Sequence, residues 1–226
     1  RLPTALAFNH VIVKATIGGE PLWLDGLSLG TRLADIRDTP AFGYVLPVRA
    51  EGAELEKIAL RRPARPTIDL ALDADESTSI DLPSVMKVDM VVRGQLASLL
   101  TLSTAQLGPK EQEDMLNGLL QNFVGQAQFD KLEAKPDAAD GSVTITARGV
   151  FGSGWEREDN RSERWLSRVG NLIEFSPDRA RASWANIPVA TGAPDYAHYR
   201  LRVRLPDGGR DYKIEGEGAL DARLAG

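Results

Sequence analysis

Phe8–Gly26 reads FNHVIVKATIGGEPLWLDG, two alternating runs on either side of Gly18-Gly19. Glycine tolerates positive φ, so this dipeptide suits a two-residue hairpin loop between antiparallel strands. With those two residues as the loop, Ile17 faces Glu20, Val13 faces Leu24 and Ile12 faces Asp25. Side chains alternate along a strand, so His10 and Ile12 share a face and Asp25 joins them there. Diagonal neighbours across a strand pair lie roughly 7–8 Å apart by backbone, within reach of a base and an orienting carboxylate. A loop one residue longer or shorter would send Asp25 to the other face.

The rest of the composition bounds the possibilities. The chain has 226 residues, long enough for one large domain or two small ones. It is 42% hydrophobic and 26% charged, ordinary values for a globular protein. A formal charge of −5 lacks the basic footprint of a nucleic-acid binder. No apolar run approaches the roughly 20 residues that span a bilayer, and there is no signal-peptide core. There is no cysteine, which excludes disulfides and a thiol nucleophile within the chain, and only His10 and His198, which excludes a multi-histidine metal site. Phosphate-loop, dinucleotide and nucleophile-elbow motifs are absent, so no cofactor is expected. The chain opens at Arg1 almost directly on a strand, and a processed or cloned piece of a longer protein is expected.

Beyond the hairpin, residues 26–43 read as a long loop with one helical turn, and YVLPVR (44–49) and ELEKIAL (54–60) as short strands. RRPARP (61–66) interrupts both helix and ladder and reads as a linker or as a solvated loop within one domain. TIDLALD (67–73) and SVMKVDMVVRG (84–94) alternate as strands, with the acidic DADES between them as a solvated turn. Residues 95–125 are helical and broken at Gly108-Pro109; Leu96, Leu99 and Leu100 start one apolar stripe. Met115, Leu116, Leu119, Leu120, Phe123 and Val124 form a second, and Gly125 supplies the stop. Residues 127–134 and 142–151 form a hairpin across PDAADG.

Trp155, Trp165 and Trp184 lie in a stretch with a weak helical period around 162–169. They suit half-buried anchors under loops better than a carbohydrate or peptide surface. HYRLRVRL (198–205) aligns Arg200, Arg202 and Arg204 on one face, and PDGG is expected to return the chain as DYKIEGE. The arginines then read as an anion patch or, in preference, as an ion-pair ladder to Glu215 and Glu217.

FNHVIV followed by WLD, with His10 and Asp25 fifteen residues apart, resembles the second half of a bacterial transglutaminase-like, papain-fold core. The continuation WLDGLSLGTRLADI…TPAFGYVLPVR, IDLPSVMKVDMVVRGQLASLL and YRLRVRLPDGGRDYKIEGEG are similar to a family of bacterial envelope proteins of unknown function. The resemblance implies a cell-envelope or periplasmic protein. It also implies a Cys-His-Asp site in which His10 is the general base and Asp25 its orienter, with Trp23 walling the site. The nucleophilic cysteine would come from an upstream part of the same protein, and the substrate would be a peptide or protein amide. This chain alone is then expected to be inactive.

The fold expected is α+β and mostly antiparallel, with one helical hairpin or broken helix at about 95–125. Residues 1–60 would be the C-terminal strands of a transglutaminase-like core and 67–226 a β-rich C-terminal domain. An apolar face left on the first part would pair with upstream sequence or dock on the second. The rival reading is a non-enzymatic envelope accessory or binding module, whose β-rich part presents an interaction surface.

Overall fold

The alternation of Ile68, Leu70, Leu72 and Ala74 against Asp69, Asp73 and Asp75 builds the strand around which a five-stranded sheet assembles. The computed structural model describes residues 10–27, 32–38, 42–59, 61–159, 161–165 and 196–215. In chain order these give β1 (Val13–Ile17), β2 (Glu20–Leu24), β3 (Tyr44–Val45), β4 (Glu56–Lys57), β5 (Ile68–Asp75) and β6 (Ser84–Arg93). Helices α1 (Gly94–Gln106) and α2 (Pro109–Val124) follow. Then come β7 (Ala127–Asp137), β8 (Ser142–Phe151), β9 (Glu156–Glu158), β10 (Arg161–Glu163) and β11 (Ala197–Arg204). The class is α+β and mostly antiparallel, as expected from the sequence.

The large sheet runs β11-β5-β6-β8-β7. Every pairing is antiparallel except β11 beside β5, which is parallel. One face carries the core: Leu70, Met90, Val88, Val92 and Ile145 are at most 1% exposed. Helix α1 lies over β6 and β8 and α2 over β7, burying Ala97, Leu100, Leu116 and Leu120 against that face. The opposite face is charged, which is how an antiparallel sheet with helices on one side meets water.

The helical break follows from local chemistry. Leu107 is extended (φ −95°, ψ 148°), and Pro109 occupies the first position of α2, where its missing N–H costs nothing. Glu111 accepts the Gly108 N–H at 2.9 Å, and Gln112 donates to the carbonyls of Thr104 and Leu107 that α1 leaves open. Gly125 ends α2 at φ 81°. In α1, Leu99 stays 46% exposed, so its apolar stripe is narrower than its leucines suggest.

Several expectations are corrected. The strands expected at 44–49 and 54–60 shrink to β3 and β4, which pair with each other. DADES is no solvated turn: β5 runs through Asp75, and Glu76 is 2% exposed. Of the helical period expected around 162–169, residues 162–163 lie instead in β10, paired with β9, and 166–169 lie outside the described residues. PDGG forms a 3-10 turn, and no strand returns from it through 215. The arginines of β11 pair instead with β5, Arg202 with Asp73 at 3.2 Å and Arg204 with Asp75 at 3.5 Å, because the two strands run side by side. Glu215 pairs with Arg161, while Glu217 and Trp184 lie outside the described residues. Trp155 is half-buried as expected of an anchor, whereas Trp165 is 79% exposed.

Arg65, inside RRPARP, connects the first sixty residues to the sheet. Its guanidinium takes both oxygens of Asp35 at 3.0 Å and also bonds Asp140 at the β7–β8 turn. The hydrogen bonds to Asp35 and then Asp140 hold Arg65 above its ordinary pKa, and Arg65 in turn holds Asp140 below the usual carboxylate range. A depressed carboxylate contributes stability that is present above its unfolded pKa and is lost as pH falls through its folded one. Arg65→Ala should therefore cost about 1 kcal/mol near neutrality, the group being partly screened by water. It should also flatten the loss of stability below about pH 4. Chemical denaturation of both proteins from pH 3 to 7 checks this; parallel curves would contradict it.

Candidate active site

Gly18 and Gly19 both take positive φ, 61° and 84°, so the hairpin closes with the two-residue loop that glycine permits. The register follows: Ile17 opposes Glu20, Ala15 opposes Leu22 and Val13 opposes Leu24. His10 stands just before β1 and Asp25 just after β2, and the register brings them together. His10 Nε2 lies 2.9 Å from Asp25 Oδ2.

Asp25 is held from a second side. Its Oδ1 accepts the backbone N–H of Leu27 at 2.9 Å, a local turn that Asp favours. An ionised carboxylate only accepts, so His10 Nε2 must carry the hydrogen of the shared bond. In the neutral ring this leaves the Nδ1 lone pair as the basic position. The ring of Phe42 packs on His10, centroids 5.1 Å apart at 33°. The two side chains are 27% and 10% exposed, enough cover to fix them and enough opening for a reactant.

Phe42 is the member that sequence reading misses. It lies in a loop without periodicity, and its only flag is Gly43, whose φ of 74° turns the chain back toward β3. Trp23 is half-buried opposite Lys14, whose ammonium sits 5.2 Å from the indole and 2.6 Å from Glu56. That contact occupies Trp23 with the hairpin itself.

The first sixty residues leave much apolar surface open. Leu22 and Ile58 are buried, yet Val11, Val13, Leu27, Leu33, Tyr44 and Val48 are each more than half exposed. No group of three or more His, Asp or Glu able to hold a metal occurs among the described residues. No helix among them is long and apolar enough to cross a membrane. Comparison with protein-family models, with curated proteins and with solved structures finds no match to this chain.

Proposed function

We propose that the hairpin is the base-and-orienter part of a transglutaminase-like acyl-transfer site whose thiol lies in sequence outside this chain. The observation that carries the reading is the 2.9 Å bond from His10 Nε2 to Asp25, which leaves Nδ1 as the free basic nitrogen. A cysteine thiol brought to Nδ1 would give up its proton there. The thiolate would attack an amide carbonyl, and the C–N bond would break as the amine leaves with the proton from the imidazolium. The thioester would then pass its acyl group to an amine or to water, with His10 taking the incoming proton. Asp25 stays ionised throughout and holds the ring. On this reading, and with the family resemblance, the whole protein is a cell-envelope enzyme acting on peptide or protein amides.

The exposed apolar side chains of the first sixty residues support the same reading, because a surface of this kind marks a contact with further structure. The chain has no cysteine, so this reading requires the thiol to come from sequence outside it. The test is labelling of that full-length protein with a cysteine-reactive amide probe. Wild type should label at one upstream cysteine and His10→Ala much more slowly. Equal labelling of the two, or no upstream cysteine to label, sinks the reading.

A further inference from the structure

The charged face of the five-stranded sheet carries a feature that its apolar face does not require. On β7 the pairs Ala127↔Phe151, Gln128↔Val150 and Phe129↔Gly149 run in step with β8. One more step would set Asp130 opposite Arg148, an ordinary ion pair. A bulge intervenes, and Lys131 takes that place instead. The bulge itself has an apolar cause, since it lets both Phe129 and Leu132 pack on the core. It does not dictate a lysine at 131. Gly149 is the residue that admits it: a Cβ there would stand 2.1 Å from the Gln128 carbonyl oxygen.

On the other side of Arg148, β6 sets Lys87 directly opposite. Three cations therefore stand in one row on adjacent strands, about 4.8 Å apart strand to strand. Like charges directly opposed on a sheet are destabilising. The nearby acids relieve only Lys87, which pairs with Asp89 and stands opposite Asp73 on β5. Asp73 is taken by Arg202, Asp75 by Arg204, and Glu133 is nearest Lys135. Lys87 reaches Asp89 on its own strand at 2.7 Å, whereas Lys131 and Arg148 make no ion pair among the described residues. The row lines a groove of about 780 Å³, whose wall also carries the paired Asp73–Arg202 and Asp75–Arg204 and, toward its acidic end, Glu133. That volume is in the range of small-ligand sites.

We propose that Arg148 and Lys131, with Lys87 beside them, bind the phosphate of a small phosphorylated compound in this groove. Arginine offers phosphate a paired donor fork and lysine a compact charge, so the anion would relieve the repulsion that the register builds in. The ligand is small because the charge is confined. One step along the strands, about 7 Å away, Asp89 and Glu133 repeat on the same face and would repel an extended polyanion. This site is independent of the acyl-transfer reading.

Isothermal titration of the whole chain with pyrophosphate at low ionic strength tests it. Wild type should bind saturably. Arg148→Gln and Lys131→Gln should each weaken binding at least about tenfold, the value of one charge-assisted bond. Arg210→Gln, away from the row, should leave it unchanged. Without anion, Lys131→Gln should melt no lower than wild type, since it removes a like charge from an edge strand. Absence of saturable binding, or binding that survives both substitutions, overturns the proposal. So does adsorption to phosphatidylglycerol vesicles that pyrophosphate fails to displace.

Discussion

Glu76→Ala should lower the stability of this protein by about 3–5 kcal/mol, the range for breaking a buried ion pair from one side. The Glu76 side chain is fully enclosed and Arg164 is 9% exposed. The carboxylate accepts from Arg164 and from the Ser84 hydroxyl, and from Trp155 Nε1 at 2.8 Å. Ser84 opens β6 at the far end of the β5–β6 connection, and Trp155 and Arg164 flank the strand pair β9–β10. Trp155 in turn packs on Tyr212, ring centroids 5.6 Å apart. Alanine would strand the Arg164 charge and the indole N–H in a space that water cannot reach well. Urea unfolding followed by circular dichroism reads the effect. With a slope of about 2 kcal/mol/M, the midpoint should fall by more than about 1.5 M. A shift under about 0.3 M would mean that water or a rearranged partner takes the place of Glu76.

Asp25→Asn should do to the site what deletion of a neighbour could not, because it changes almost no volume. Asp25 uses both oxygens as acceptors, one for Leu27 N–H and one for His10 Nε2–H. Asparagine has one oxygen and one NH₂. If its oxygen stays with Leu27, the NH₂ faces His10 and forces the hydrogen onto Nδ1, the nitrogen needed as base. If the amide turns round, the Leu27 N–H meets a donor and the turn opens. Nitrogen chemical shifts of the His10 ring should therefore report an Nε2–H tautomer in the wild-type chain and its loss in Asp25→Asn. In the full-length protein the rate of acyl transfer should fall about 10²–10⁴-fold, the usual weight of a positioned general base. An unchanged tautomer would detach Asp25 from any orienting role. An altered tautomer with unchanged turnover would detach the pair from the chemistry.

What the sequence made legible, and what it hid, follows the range of the interactions. His10 and Asp25 meet because a two-glycine loop sets the register of a local hairpin, so counting residues was enough. Leu70, Leu72, Met86, Val88, Met90 and Val92 likewise declared their face by alternation, and all are buried. Glu76 was hidden by its acidic neighbours, although it continues the same alternation through Leu70, Leu72 and Ala74. Phase along the strand, weighed above charge, would have found it. The bulge at Asp130 left no mark beyond the glycine it needs at 149. The partner of β11 was beyond local reading altogether. PDGG advertises a turn, but the strand before it pairs with residues 129 positions earlier.

That pairing has a consequence for how the chain is made. Strands β5 to β8 and the two helices pair among themselves and can assemble once β8 has left the ribosome. The edge of β5 must wait for β11, on the order of ten seconds at ordinary rates of synthesis. Closing so long a loop is entropically slow even once the strand is available. Through that interval an unpaired strand is a template for another nascent chain. Asp69, Asp73 and Asp75, which later hold the arginines of β11, line the waiting strand with like charge. Two such edges repel each other, and the strand is kept for the basic β11 that follows it.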